Sequence, residues 1–165
     1  MINYQYFPKN RVLPEHLHQV VDIFIQQAPK IDSERTHLKS NEVLTVIAPF
    51  LKNLGYKTEP IDGMIEVPVL FGRNGTIDKY FAADGYNSNT KTVIEIEAGR
   101  ALINNQFLKD FFEACMMNEA EYLVIAVRNT YRNSPDFDKI FQFFETMFLS
   151  ERLKLPLTGL MLIGY

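Results

Sequence analysis

Along the first third of the chain, apolar residues recur at intervals of three and four. Leu17, Val20, Val21, Ile23 and Phe24 form one such stripe. It predicts a helix over 12–28 that Pro29 ends. Val43, Leu44, Ile47, Leu51 and Leu54 form a second stripe, in SNEVLTVIAPFLKNLGYKTE. Ser40 or Asn41 is suited to cap that helix, Pro49 to kink it and Gly55 to stop it. The pattern then shortens to alternation. Strands are predicted over 64–71, 76–84 and 91–98, with GRNG as the turn between the first two and GYNSNTK between the last two. Helical spacing returns over 100–117, with Leu102, Ile103, Phe107, Leu108, Phe111, Phe112, Cys115 and Met116 expected inward. YLVIAV is a continuous apolar run, as a buried central strand should be. A Phe-rich helix over 136–150 and a strand over 158–164 complete the order α-α-β-β-β-α-β-α-β. That order predicts an α/β (α+β) fold: a central mixed sheet of five strands flanked by helices on both faces.

Composition adds bounds. The 165 residues, 47% hydrophobic and 22% charged, suit a single globular domain over 1–165. With 13 Phe and no Trp, phenylalanine and the aliphatics must fill the core. The net charge of −3 is less positive than a simple basic nucleic-acid binder carries. Nucleic-acid contact would need a local basic patch, or a metal that cancels carboxylate charge. The lone Cys115 excludes an internal disulfide and a cysteine zinc cluster. No apolar run approaches ~18 residues, so no membrane-spanning helix is expected. MINYQYFPKNR has no apolar signal core, and a cytoplasmic protein without a membrane partner is the expectation.

The chemistry centres on TVIEIEAGR. In a strand, Val93, Glu95 and Glu97 share one face, and Ile94 and Ile96 the other. The two carboxylates then lie roughly 6–7 Å apart, two strand rises, a repulsive arrangement unless water or a cation neutralises it. Such alternation usually marks a solvated face. Asp84, at the end of the preceding strand, joins the Glu95 face if it opposes an odd-numbered residue; a one-residue slip sends it to the other side. Three converging carboxylates would bind Mg²⁺ or Mn²⁺. Arg100, expected at the mouth of the next helix, would make a phosphate site with the helix N-terminus, and Asn104, Asn105 and Lys109 continue that region. His16, His18 and His37 read as surface residues and Cys115 as core. No phosphate loop or nucleophile elbow is present.

Asp84 in FAADGY, Glu95 and Glu97 in EIEAGR, the amphipathic helix after them and YLVIAV together resemble the restriction-endonuclease-like, PD-(D/E)XK, nuclease superfamily over about 40–130. The resemblance implies an αβββαβ core and Mg- or Mn-dependent hydrolysis of DNA. It implies metal binding by Asp84 and Glu95, water activation by Glu97, and support from Glu42 on the first core helix. Arg100, Asn104, Asn105, Lys109 and Lys91 would contact substrate. Two positions depart from the family pattern: Ala83 replaces the usual proline and Glu97 the usual lysine, which Lys91 or Lys109 could replace from elsewhere. A homodimer cutting both strands suits so short a chain. The alternative is a nuclease fold without cleavage, acting as a nucleic-acid-binding or interaction module.

Overall fold

The computed structural model describes all 165 residues. The chain runs β1 (Asn3–Phe7), α1 (Glu15–Ile31), α2 (Ser40–Asn53), β2 (Lys57–Thr58), α3 (Glu59–Asp62), β3 (Ile65–Phe71), β4 (Ile77–Ala83), β5 (Gly85–Asn87), β6 (Thr92–Glu97), α4 (Gln106–Met116), β7 (Tyr122–Val127), α5 (Asp136–Ser150) and β8 (Gly159–Gly164). This is a mixed α/β fold with five helices and a six-stranded mixed sheet, ordered β1-β8-β7-β6-β5-β2. β6, β7 and β8 are parallel neighbours, and β1, β5 and β2 pair antiparallel at the sides.

The alternation in β6 sorts the two faces. Ile94 and Ile96 pack with Val124, Ala126, Met161 and Ile163 beneath the apolar stripes of α1 and α2. Val93 packs with Leu123, Ile125 and Leu160 beneath α4 and α5, where Phe107, Phe111, Ile140 and Phe144 meet. Each parallel crossover carries its helix on that second face, so Glu95 and Glu97 point toward α4 rather than into solvent.

Several elements depart from the sequence pattern. The sheet has six strands, not five, and strands 64–71 and 76–84 are not in it. β3 and β4 pair only with each other, as a separate ribbon. Pro68 removes a ladder donor from β3, and the ribbon's register shifts beside it. Its far end stays exposed at Leu70, Phe71 and Ile77. The sheet instead takes β1, β2 and β5. Gly85 permits the β2 pairing, since a Cβ there would meet the Lys57 carbonyl oxygen at 3.2 Å. α1 runs through Pro29 to the fully buried Ile31; packing of that last turn outweighs the lost hydrogen bond. α4 begins at Gln106, not near 100, because Gly99, Asn104 and Asn105 adopt positive φ. Its inward face is Phe107, Asp110, Phe111 and Ala114, whereas Ile103, Phe112 and Met116 are exposed.

Candidate active site

The register of β5 on β6 pairs Gly85 with Ile94 and Asn87 with Thr92. One step further, Asp84 stands opposite Glu95, on the same face. Asp84 is also where the chain leaves the ribbon for the sheet. β4 peels away there, and the Asp84 Oδ2 takes over the abandoned ladder position, accepting from the Ile96 backbone N–H at 2.7 Å. The Asp84 backbone N–H in turn faces the Glu95 carboxylate and favours its charged form.

Four carboxylates gather here, and the fourth, Asp110, comes from α4. It is buried and its Oδ1 accepts from Gln106 Nε2 at 3.1 Å; its Oδ2 has no donor of its own and stands close enough to Glu97 for the pair to share a proton. Burial is the main reason each of the four holds its proton more tightly than usual. Asp84 rises to about 6, despite its bond from Ile96, with the charges of Glu59 and Asp110 adding to the effect. Glu95 is raised well above the ordinary range by burial and then by Asp84 and Asp110. Glu97 rises to about 8 through burial, the Asp110 charge and their shared bond. Asp110 is raised by burial, opposed by Lys109, Gln106 and Glu97. The nearest cation is Lys109. Burial works against its ammonium, but Glu113, Asp110 and Glu95 outweigh that and raise its pKa. Its Nζ lies 3.3 Å from the Glu113 carboxylate.

Beside Asp84 and Glu95 a cavity of about 100 Å³ opens between ribbon and sheet, with Glu59 also on its wall. The donor set is all carboxylate oxygen, the chemistry that hard divalent cations take, and the cavity has room for an ion with water. The expected convergence on one point is not preformed: no group of three His, Cys, Asp or Glu side chains is placed to hold a metal ion. Asp84 is turned to the Ile96 N–H and Glu97 to Asp110.

The other expected site residues fare differently. Lys109 lies at the cluster. Glu42 is exposed, and its Oε2 accepts from the Lys39 backbone N–H at 2.6 Å, capping α2 instead of lining the cluster. Lys91 precedes β6 at the end away from Glu97 and pairs with Glu121 at 2.7 Å, too far along the strand to serve there. Arg100, Asn104 and Asn105 are exposed on the loop before α4, so Arg100 does not stand at a helix N-terminus. Sequence reasoning missed Asp110 and Glu59. The signal for Asp110 was a carboxylate inside the Phe107–Phe111–Ala114 stripe, where only a paired or functional acid is tolerated. His16 packs edge-on to Tyr122, with burial lowering its pKa. Burial pushes the half-buried Cys115 thiol up to about 11, away from reactivity.

No family model, no curated protein and no solved structure matches the chain. No helix is long and apolar enough to cross a membrane.

Proposed function

We propose that the protein is a divalent-metal-dependent nuclease of the restriction-endonuclease-like kind, hydrolysing phosphodiester bonds in DNA. The observation that carries this reading is the place of Asp84 one step beyond the Gly85–Ile94 pair, bonded to the Ile96 N–H beside Glu95, with Glu97 one pleat further on the Glu95 face. A cluster this rich in buried carboxylates is destabilising unless it takes up positive charge, and the oxygen donors suit Mg²⁺ or Mn²⁺.

Asp84 and Glu95 would hold the cation, with Glu59 on the cavity wall as a further oxygen donor. A bound cation supplies charge stabilisation at the scissile phosphate and acidifies a water. Glu97, ionised once a cation is bound beside it, would receive the proton of the attacking water. That water's oxygen bonds to phosphorus as the bond to the 3′ oxygen breaks; the leaving 3′ oxygen takes a proton from solvent, giving a 3′ hydroxyl and a 5′-phosphate. Asp110 orients Glu97 and adjusts its basicity. Lys109, supplied by α4, meets the charge developing on the phosphate, in the role that the residue at position 97 cannot fill.

A second reading, a nuclease fold that binds without cutting, is favoured by two observations: Glu97 lies against Asp110, and no three His, Cys, Asp or Glu side chains are placed to hold a metal ion. Incubating labelled DNA and RNA with the protein separates the readings. The nuclease reading expects products with Mg²⁺ or Mn²⁺, none with chelator, and none from Asp84→Asn. Intact substrate under all metal conditions, with retained binding, overturns it in favour of the second.

A further inference from the structure

We propose that a second, basic crevice beside the carboxylate cluster binds the phosphate of a nucleotide unit. The crevice, of about 720 Å³, lies beyond the carboxyl ends of β6 and β7, where open α/β sheets place their ligands. Ala98 and Arg128 on its wall directly follow Glu97 and Val127, which are paired neighbours in the sheet. The crevice and the cluster therefore meet the same end of the sheet, although none of the four cluster carboxylates lines the crevice.

Its charge runs against that of the molecule. Lys39, Arg128 and Arg132 line it with Glu34 as the only carboxylate, in a chain of net charge −3. None of the three cations has a carboxylate within ion-pair distance. Arg128 is the built element. It is only 8% exposed, its Nη2 donates to the Leu38 carbonyl oxygen at 2.7 Å, and its Nε has no acceptor. Asp136 feels its charge without pairing with it. The Tyr165 hydroxyl is the other polar neighbour of Arg128. A buried guanidinium with an unused Nε–H and no carboxylate within ion-pair distance favours an anionic ligand.

Tyr131 holds the geometry. The Arg128 and Arg132 guanidinium carbons lie 5.3 and 5.2 Å from its ring centroid. The ring also lies against Gly99, where any Cβ would collide with it. The cationic pair is thus fixed by an aromatic spacer instead of swinging free. Guanidinium groups so placed suit phosphate oxygens. The volume is that of a small-molecule pocket and admits a sugar and base as well as the phosphate. The choice of nucleic acid over another phosphorylated ligand rests on the nuclease reading of the neighbouring cluster; the anion site itself does not.

The test is fluorescence anisotropy of a labelled single-stranded oligonucleotide in chelator, so that no cleavage step contributes. Lys39 and Arg132 are exposed, and their joint replacement, K39A with R132A, should leave the fold intact. We expect at least about tenfold weaker binding and a salt slope reduced by roughly 1.4, two phosphate contacts' worth on a single strand. Lys52→Ala, at an exposed lysine that lines neither cavity, should bind as wild type does. Adenosine monophosphate should compete, and adenosine should not. Unchanged affinity and slope in the double variant overturn the proposal, as does equal competition by adenosine. Competition by inorganic phosphate as strong as by the nucleotide overturns the nucleotide assignment. Binding without any cleavage in metal would overturn the nuclease reading alone.

Discussion

Glu97 concentrates the chemistry of the site. Its proton affinity, raised to about 8 by burial and by Asp110, makes it neutral near pH 7 in the metal-free protein. The folded state then binds more protons than the unfolded state between the ordinary glutamate value and about 8. Its contribution to stability is full below that window and is lost as pH rises through it. Thermal unfolding should therefore show wild type losing stability from acid toward about pH 8, with a shallower loss in Glu97→Gln. An equal slope in the two proteins would contradict the assigned environment. The same variant should lose turnover by about 10²–10⁴-fold if Glu97 takes the water's proton, with oligonucleotide binding retained. Lys109→Met should lower activity as well, while Lys109→Arg restores part of it. Retention of charge at that place is the discriminating readout, since a merely structural loss would not follow charge.

At the scale of elements, much of the site was written in local pattern. The strict alternation of Val93, Ile94, Glu95, Ile96 and Glu97 defines β6 and its two faces, and the crossover helix after it follows from its apolar spacing. The placement of Asp84 was not decided locally. It depends on pairing register, and on β4 leaving the sheet one residue before it, which local propensity does not encode. The ribbon was misassigned for the same reason: its alternation is that of any strand, and only Pro68 hinted that it stands apart. The start of α4 was hidden in three left-handed residues, of which only Gly99 is a glycine. Gly99 thus carries a structural prediction. Gly99→Ala combines a φ of 94° with contact against Tyr131. It should cost at least about 1–2 kcal/mol in denaturant unfolding and loosen the basic crevice. Phe111 joins α4 to Phe144 at 5.5 Å between ring centroids and is fully buried. Phe111→Ala should cost about 3–5 kcal/mol, and a loss below about 1 kcal/mol would contradict its place in the core.

At the scale of the molecule, the fold juxtaposes opposite charges at one sheet end. The chain is acidic overall, and four of its carboxylates sit in a half-buried cluster at the same sheet end as guanidinium and ammonium groups that have no ion-pair partner. An acidic protein can bind a polyanion under this arrangement, because the basic crevice attracts phosphate and a cation would neutralise the carboxylates. Cation uptake by the cluster is the property on which the proposed chemistry turns. Protons and metal compete for Asp84, Glu95 and Glu97, so affinity should rise with pH across the window from about 6 to about 8. Isothermal titration of Mn²⁺ tests this directly. The account predicts saturable binding at about pH 8, weaker binding at about pH 6, and none in Asp84→Ala at either; wild type that takes up no Mn²⁺ at about pH 8, or Asp84→Ala that binds it equally well, would contradict it.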